Sequence, residues 1–130
     1  MIQRPNAIGL LLCQQAIVEE RTRNLTLVNT FRRLVVDSFP SPPQRFEIHS
    51  LLTDGLGPMT LTLLATRLDT LDEIYNQTGT VTFTNPLQEQ YLLIHITRIS
   101  FPVPGRYEFR LLAERESIAQ CVLEVSQRRK

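Results

Sequence analysis

The sequence predicts an all-β fold, a single antiparallel β-sandwich that occupies residues 1–130. The chain has the length of one ordinary domain, and 42% of its residues are hydrophobic, which is enough for a core without metals or disulfides. Apolar and polar residues alternate with a period of two in most segments. Turn-forming residues recur between these segments at the short spacing that is typical of sandwiches and barrels.

The N-terminal third has the least regular pattern. Residues 7–13 are apolar on both faces, so they predict a strand that is covered on both sides, with a short helix as the alternative. A polar turn at residues 21–24 leads into a second predicted strand at residues 25–34. The Pro-rich residues 39–43 lie within a stretch of uniform composition, so we interpret them as a rigid connection inside one domain.

Short alternating segments continue through the middle of the chain, and their Thr, Val, Ile and aromatic residues favour strands. Residues 54–58, with Gly55 and Gly57, are interpreted as a hairpin turn. Asn76 and Gly79 predict a second turn. The strands predicted in this region are residues 46–52, 59–65, 71–75, 80–84 and 91–101.

The C-terminal end has the cleanest alternation. Tyr107, Phe109 and Leu111 alternate with charged residues, and a second alternating segment follows at residues 119–125. The short polar turn at residues 114–117 separates the two segments. This pattern predicts an antiparallel hairpin with one face buried and the other in water.

The residues at the start of this hairpin indicate which kind of β-sandwich the chain forms. Pro104, Gly105 and Tyr107 form a Pro-Gly-x-Tyr pattern, which resembles the start of the second-last strand in many immunoglobulin-like sandwiches. In those proteins a Tyr hydroxyl bonds back to the nearby backbone, so we predict a structural corner at Gly105 and Tyr107. The chain contains no Trp, so the antibody-type core is absent. The fold class is therefore an immunoglobulin-like sandwich without a disulfide, with an extra N-terminal strand pair.

Five phrases of the sequence are familiar as a set: they are Ala7–Cys13, Ile17–Glu20, Leu27–Asn29 and Phe39–Pro42 in the opening half, and Phe101–Tyr107 in the closing half. Together they resemble an uncharacterised bacterial family of small proteins, a domain of unknown function. The resemblance implies a small stand-alone bacterial protein with an immunoglobulin-like sandwich, and it implies no active site.

Charge and cysteine use indicate the compartment and the partners. The net charge of +1 gives no electrostatic reason to expect a nucleic acid or a membrane as partner. Arg4 and the apolar run that ends in Cys13 mimic a lipoprotein signal, but the run is short and the bulky Leu12 stands before the cysteine. We therefore expect a cytoplasmic protein in which Cys13 and Cys121 stay reduced.

The sequence holds no recognisable catalytic motif, cofactor site or metal-binding spacing. His49 and His95 are the only histidines; if their strands are neighbours, the two imidazoles could meet and recruit Cys13 or an acid. Cys121 lies on an apolar face, where burial makes a thiol a poor nucleophile. The acidic residues at 69–73 fit a solvated connection better than a calcium loop. We expect no enzyme activity, no cofactor and no bound metal.

The function predicted from these observations is a non-enzymatic interaction module that docks another protein or a second copy of itself. The candidate surface is Ile8, Leu10, Leu11 and Leu12, because a strand that is apolar on both faces needs a second cover. That cover is either a second chain or residues 25–34 folded back over the strand. The alternative function is a sandwich that binds a ligand or carbohydrate, which the lack of Trp disfavours, and an unrecognised enzyme ranks third.

Overall fold

The computed structural model describes residues 2–129, and within them it contains β-strands and no helix. Met1 and Lys130, the two ends of the predicted domain, lie outside the described residues. The N-terminal segment is a strand, so the helical alternative for it is wrong. The strands are β1 Asn6–Val18, β2 Leu25–Phe31, β3 Arg33–Val36, β4 Gln44–Thr53, β5 Gly57–Arg67, β6 Glu73–Phe83, β7 Gln90–Ile99, β8 Gly105–Ala113 and β9 Glu116–Gln127.

The strands form two sheets. A four-stranded sheet has the order β2-β1-β4-β7, and a five-stranded sheet has the order β3-β9-β8-β5-β6. Neighbouring strands are antiparallel, except that β3 runs parallel to β9. β4 and β7 pair in one sheet while β5, β8 and β9 form the other, which is the strand distribution of an immunoglobulin-like sandwich. The predicted all-β sandwich is confirmed.

The core lies between the two inner faces, to which β4, β5 and β8 contribute every second side chain. The alternation predicted for β8 and β9 holds, since Tyr107, Phe109 and Leu111 are buried together with Leu123 and Val125. Aromatic rings join the sheets in edge-to-face contacts: the ring centroids of Phe46 and Phe109 lie 6.0 Å apart. Burial of these side chains is the main stabilisation of the fold.

The corner at the start of β8 has the geometry expected of an immunoglobulin-like sandwich. The hydroxyl of Tyr107 donates a hydrogen bond of 2.6 Å to the carbonyl oxygen of Val103. The ring of Tyr107 is fully buried and meets Phe101 at a centroid distance of 4.9 Å. Gly105 has a φ of 147°, a conformation that favours glycine, and this allows the chain to turn into the strand.

Residues 25–34 do not form one strand. β2 ends at Phe31, and after Arg32 the chain crosses to the other sheet, where β3 pairs with β9. β2 pairs edge to edge with β1 in the same sheet rather than folding over its face. The expectation that this segment covers β1 is therefore wrong, and the outer face of β1 stays open.

Two predicted turns are also wrong. Gly55 does not lie in a hairpin, because β4 and β5 belong to different sheets and the chain crosses between the sheets there. A Cβ at Gly55 would come within 2.8 Å of the Phe83 ring, so close packing explains this glycine. Residues 76–79 lie inside β6, paired with β5, and the real turn is at residues 68–72. The residues at 76–79 are of types that favour turns, but pairing with β5 holds them in an extended strand.

Candidate functional site

A β-bulge in β1 decides which N-terminal side chains face solvent. Ile8 lies opposite Leu51 of β4. Leu11 lies opposite His49, so three steps along β1 match two steps along β4. Gly9 sits inside this bulge with a φ of 74°, which the lack of a Cβ permits. The extra residue brings Ile8 and Leu11 to the same face of the sheet.

The bulge divides the candidate surface predicted from the sequence. Ile8 and Leu11 are 59% and 41% exposed, whereas Leu10 and Leu12 are buried in the core at 5% and 3%. Leu10 and Leu12 are therefore removed from the surface. The prediction that all four residues lie on one surface is wrong, because the bulge places Ile8 and Leu11 on the outer face and Leu10 and Leu12 on the inner face.

The outward pair is part of a larger apolar surface on the four-stranded sheet. Strand register places Ile8, Leu51 and Tyr91 in one row across β1, β4 and β7. It places Leu11, His49 and Leu93 in the next row. We call these two rows the outer patch; its members are Ile8, Leu11, His49, Leu51, Tyr91 and Leu93.

His49 is the polar residue of the outer patch. Its ring lies against Tyr91, with the ring centroids 5.5 Å apart. Its Nε2 atom is buried and has no hydrogen-bond partner among the described residues. Burial lowers the pKa of His49 from its ordinary value, because desolvation disfavours the charged imidazolium. The patch therefore contains a neutral imidazole with an unused hydrogen-bonding atom.

The row beyond the outer patch contains Cys13, Glu47 and His95. A carboxylate oxygen of Glu47 lies 2.8 Å from Nδ1 of His95. β4 and β7 are neighbours, as the histidine hypothesis required, but only His95 gains an acid, because His49 lies one row away. Glu47 also lies between the thiol and the imidazole, so the order of the three groups does not suit activation of a nucleophile.

Both thiols are unsuited to nucleophilic chemistry. Cys13 is completely buried, and desolvation followed by the charge of Glu47 raises its thiol pKa. Burial raises the pKa of Cys121 to about 11. Neither thiol forms a disulfide. Thiolates, which are the reactive form, are therefore scarce at both positions near neutral pH.

The acidic connection between β5 and β6 is a solvated turn. Asp69 forms an ion pair with the guanidinium of Arg67, with 3.0 Å between a nitrogen and a carboxylate oxygen. Among residues 2–129, no group of three or more His, Cys, Asp or Glu side chains is placed to hold a metal ion. The same residues also contain no helix that is long and apolar enough to cross a membrane.

The outer face of the five-stranded sheet differs from the outer patch. It presents threonines along β5 and β6, with Thr62 and Thr78 hydroxyls 3.3 Å apart, and a Glu108–Arg110 ion pair on β8. Of the ten large hydrophobic residues that are exposed within residues 2–129, six lie on the four-stranded sheet and one on the five-stranded sheet. Exposed apolar surface is therefore concentrated on one side of the sandwich.

Comparison with known proteins gives a family and a distant structural likeness. The model of a family of unknown function, DUF6941, matches residues 9–126. A comparison with the curated proteins finds no significant match. Among solved structures, the chain is similar to the crystal structure of a CARDB domain from Pyrococcus furiosus in complex with di-metal ions. The two sequences are 12% identical, and the TM-score between the two structures is 0.43. That likeness covers 96% of this chain and 91% of that chain.

Proposed function

Since this chain belongs to DUF6941, a family of unknown function that assigns it no chemistry, we propose a role from its surface. The protein is a non-catalytic interaction module that docks a second copy of itself through the outer patch. The observation that carries the proposal is the pair of apolar rows on β1, β4 and β7, in which Ile8, Leu11 and Tyr91 are 59%, 41% and 51% exposed. Contiguous exposed apolar surface of this kind marks interaction sites.

The charge of the outer patch suits contact with an identical surface. None of its six residues is an acid or a lysine or arginine, and burial favours the neutral form of His49. Two copies placed face to face therefore bring no like charges together within the patch. A strongly charged partner would find no complementary group there.

The dimensions of the four-stranded sheet determine how much of it a dimer has to use. Four strands about 4.8 Å apart and about ten residues long at about 3.3 Å per residue give a face of roughly 600 Å². Stable interfaces cover about 800 Å² on each partner, so the contact has to use the whole face together with side chains at its rim. Ile17 and Val28 are further exposed apolar side chains at the far end of β1 and β2, beyond the row of Cys13, Glu47 and His95.

The proposal is tested by placing a charge in the outer patch. Leu11→Glu is expected to convert a dimer into a monomer in light scattering at micromolar concentration, because a desolvated carboxylate in the interface lacks a partner. Leu64→Glu is the matched control, since Leu64 lies on the outer face of the five-stranded sheet, opposite Arg110. Circular dichroism verifies that both variants fold.

Two results would overturn the dimer. The first is a wild-type protein that stays monomeric across the concentration range. The second is a dimer that dissociates with Leu64→Glu and survives Leu11→Glu, which would place the interface on the five-stranded sheet.

A further inference from the structure

The sandwich is open along one side, between β6 and β7. These are the edge strands of their two sheets, and within residues 2–129 neither has a hydrogen-bonded neighbour on that side. The space between them is a groove of about 340 Å³, which we call the side groove. Side chains of the core form its floor: they are Leu61, Leu63, Leu92, Ile94 and Leu111.

Gly79 creates much of this opening. Register places Gly79 opposite Leu61 on the inner face of β6, at a position where a sandwich strand normally supplies an apolar side chain. A Cβ built on Gly79 would meet nothing within 4 Å, so crowding does not require a glycine there. Its φ is not positive, so backbone conformation does not require one either. A glycine without a structural reason inside a strand marks a place where another backbone or a ligand approaches.

The neighbouring inner-face residue of β6 is polar. Gln77 lies opposite Leu63, is exposed, and supplies a polar side chain where the core pattern calls for an apolar one. Leu61 is consequently the most exposed residue of the buried core, at 7%. Leu63, opposite Gln77, is only 1% exposed, so the opening in the floor of the groove is confined to Leu61, opposite Gly79.

The edge of β6 lacks the usual protection against strand addition. Proteins block exposed edges with charged residues, prolines or bulges, and residues 74–83 contain no proline, acid, lysine or arginine. The strand pairs with β5 without a bulge from Gly57 to Ala65. A long, uncharged and regular edge therefore borders the groove.

We propose that the side groove accepts an extended, uncharged segment of a partner polypeptide, which adds to the edge of β6. The main chain of the segment pairs with the free backbone groups of β6, and a branched apolar side chain enters the space at Gly79. A small apolar molecule would fill the space and leave those backbone groups unpaired, so the strand edge favours a peptide. Self-docking uses the outer patch, which shares Leu93 with the lining of the side groove, whereas Leu11 belongs to the outer patch alone.

The experiment is a selection from a displayed library of random dodecapeptides on the folded protein. Enriched peptides are expected to carry branched apolar residues at alternate positions and no charge between them. Gly79→Ile is expected to weaken their binding by at least about tenfold, because the new side chain occupies the groove. Thr78→Ile is the matched control, since Thr78 is the adjacent residue of the same strand and lies on the opposite face.

Two further measurements separate strand addition from other modes of binding. N-methylation of alternate peptide amides is expected to abolish binding, because it removes the main-chain donors. Leu11→Glu is expected to leave peptide binding unchanged. The proposal is overturned if the wild type enriches no more peptides than Gly79→Ile, if N-methylated peptides bind equally well, or if Leu11→Glu abolishes binding.

Discussion

At the level of single residues, Tyr107 connects sequence and fold most directly. Its position after Pro104 and Gly105 predicts a corner, and the structure places its hydroxyl 2.6 Å from the Val103 carbonyl oxygen. The buried ring contacts Phe101. The polar and apolar parts of one side chain therefore act together where the chain enters β8.

We predict that Tyr107→Phe lowers the free energy of unfolding by about 1 kcal/mol, because the Val103 carbonyl loses its donor. Tyr107→Ala is expected to cost roughly 3–5 kcal/mol, because it also leaves a cavity in the core. Urea denaturation measures both changes. Tyr91→Phe serves as the control and should be neutral, since Tyr91 is 51% exposed. Neutral effects at Tyr107 would contradict the corner.

His49 predicts how stability depends on pH. Burial lowers its pKa in the folded state below the ordinary value of 6.5, so the unfolded chain binds the proton more tightly. The stability contributed by neutral His49 is complete above about pH 6.5 and is lost as the pH falls through the folded-state pKa. His49→Gln is expected to remove this part of the acid-side loss, whereas His95→Gln retains it. Equal pH profiles for wild type and His49→Gln would contradict the prediction.

The thiols give a third prediction. A pKa of about 11 leaves about one Cys121 thiol in a thousand ionised at about pH 8, and Cys13 is completely buried. Both thiols are therefore expected to react slowly with a disulfide reagent in the folded protein and rapidly after denaturation without a reductant. If fewer than two thiols react in the denatured chain, the expected reducing compartment is wrong.

At the level of strands, two glycines have opposite roles. Gly9 needs its positive φ for the bulge in β1, so Gly9→Ala is expected to destabilise the protein by about 1–2 kcal/mol. Gly79 needs neither a special φ nor space, so Gly79→Val is expected to stabilise the protein by about 1 kcal/mol. Thermal or urea denaturation measures both. A destabilising Gly79→Val would mean that this glycine has a structural role.

The alternation of polar and apolar residues predicts a strand correctly where one face of that strand is in water. It fails where pairing between distant segments determines the bounds of a strand or the sheet to which it belongs. β8 is predictable because charged residues alternate strictly with Tyr107 and Phe109. The break at Arg32 is not, because a period of two does not reveal a change of sheet. The bulge at Gly9 is likewise not predictable, because residues 7–13 are all apolar or glycine and contain no polar residue that would show the shift in alternation. The sequence therefore did not show that Ile8 and Leu11 face solvent while Leu10 and Leu12 face the core.

At the level of the whole molecule, the two sides of the sandwich differ in chemistry. One outer face carries the outer patch, and the other carries threonines and an ion pair between Glu108 and Arg110. The sequence indicated an interaction module from its apolar N-terminal strand, but Tyr91 and Leu93 joined the surface only through strand register. A surface assembled from three strands is not visible in any one of them.

Self-docking through the outer patch is tested most directly by methyl NMR spectra recorded over a dilution series. If the protein docks through the outer patch, the methyl resonances of Ile8, Leu11 and Leu93 shift together with concentration, while those of Leu64 stay constant. Acidification through the lowered pKa of His49 should weaken the same association, because docking buries neutral His49 further. Methyl resonances of the outer patch that do not change with concentration, or changes confined to Leu64, would contradict it.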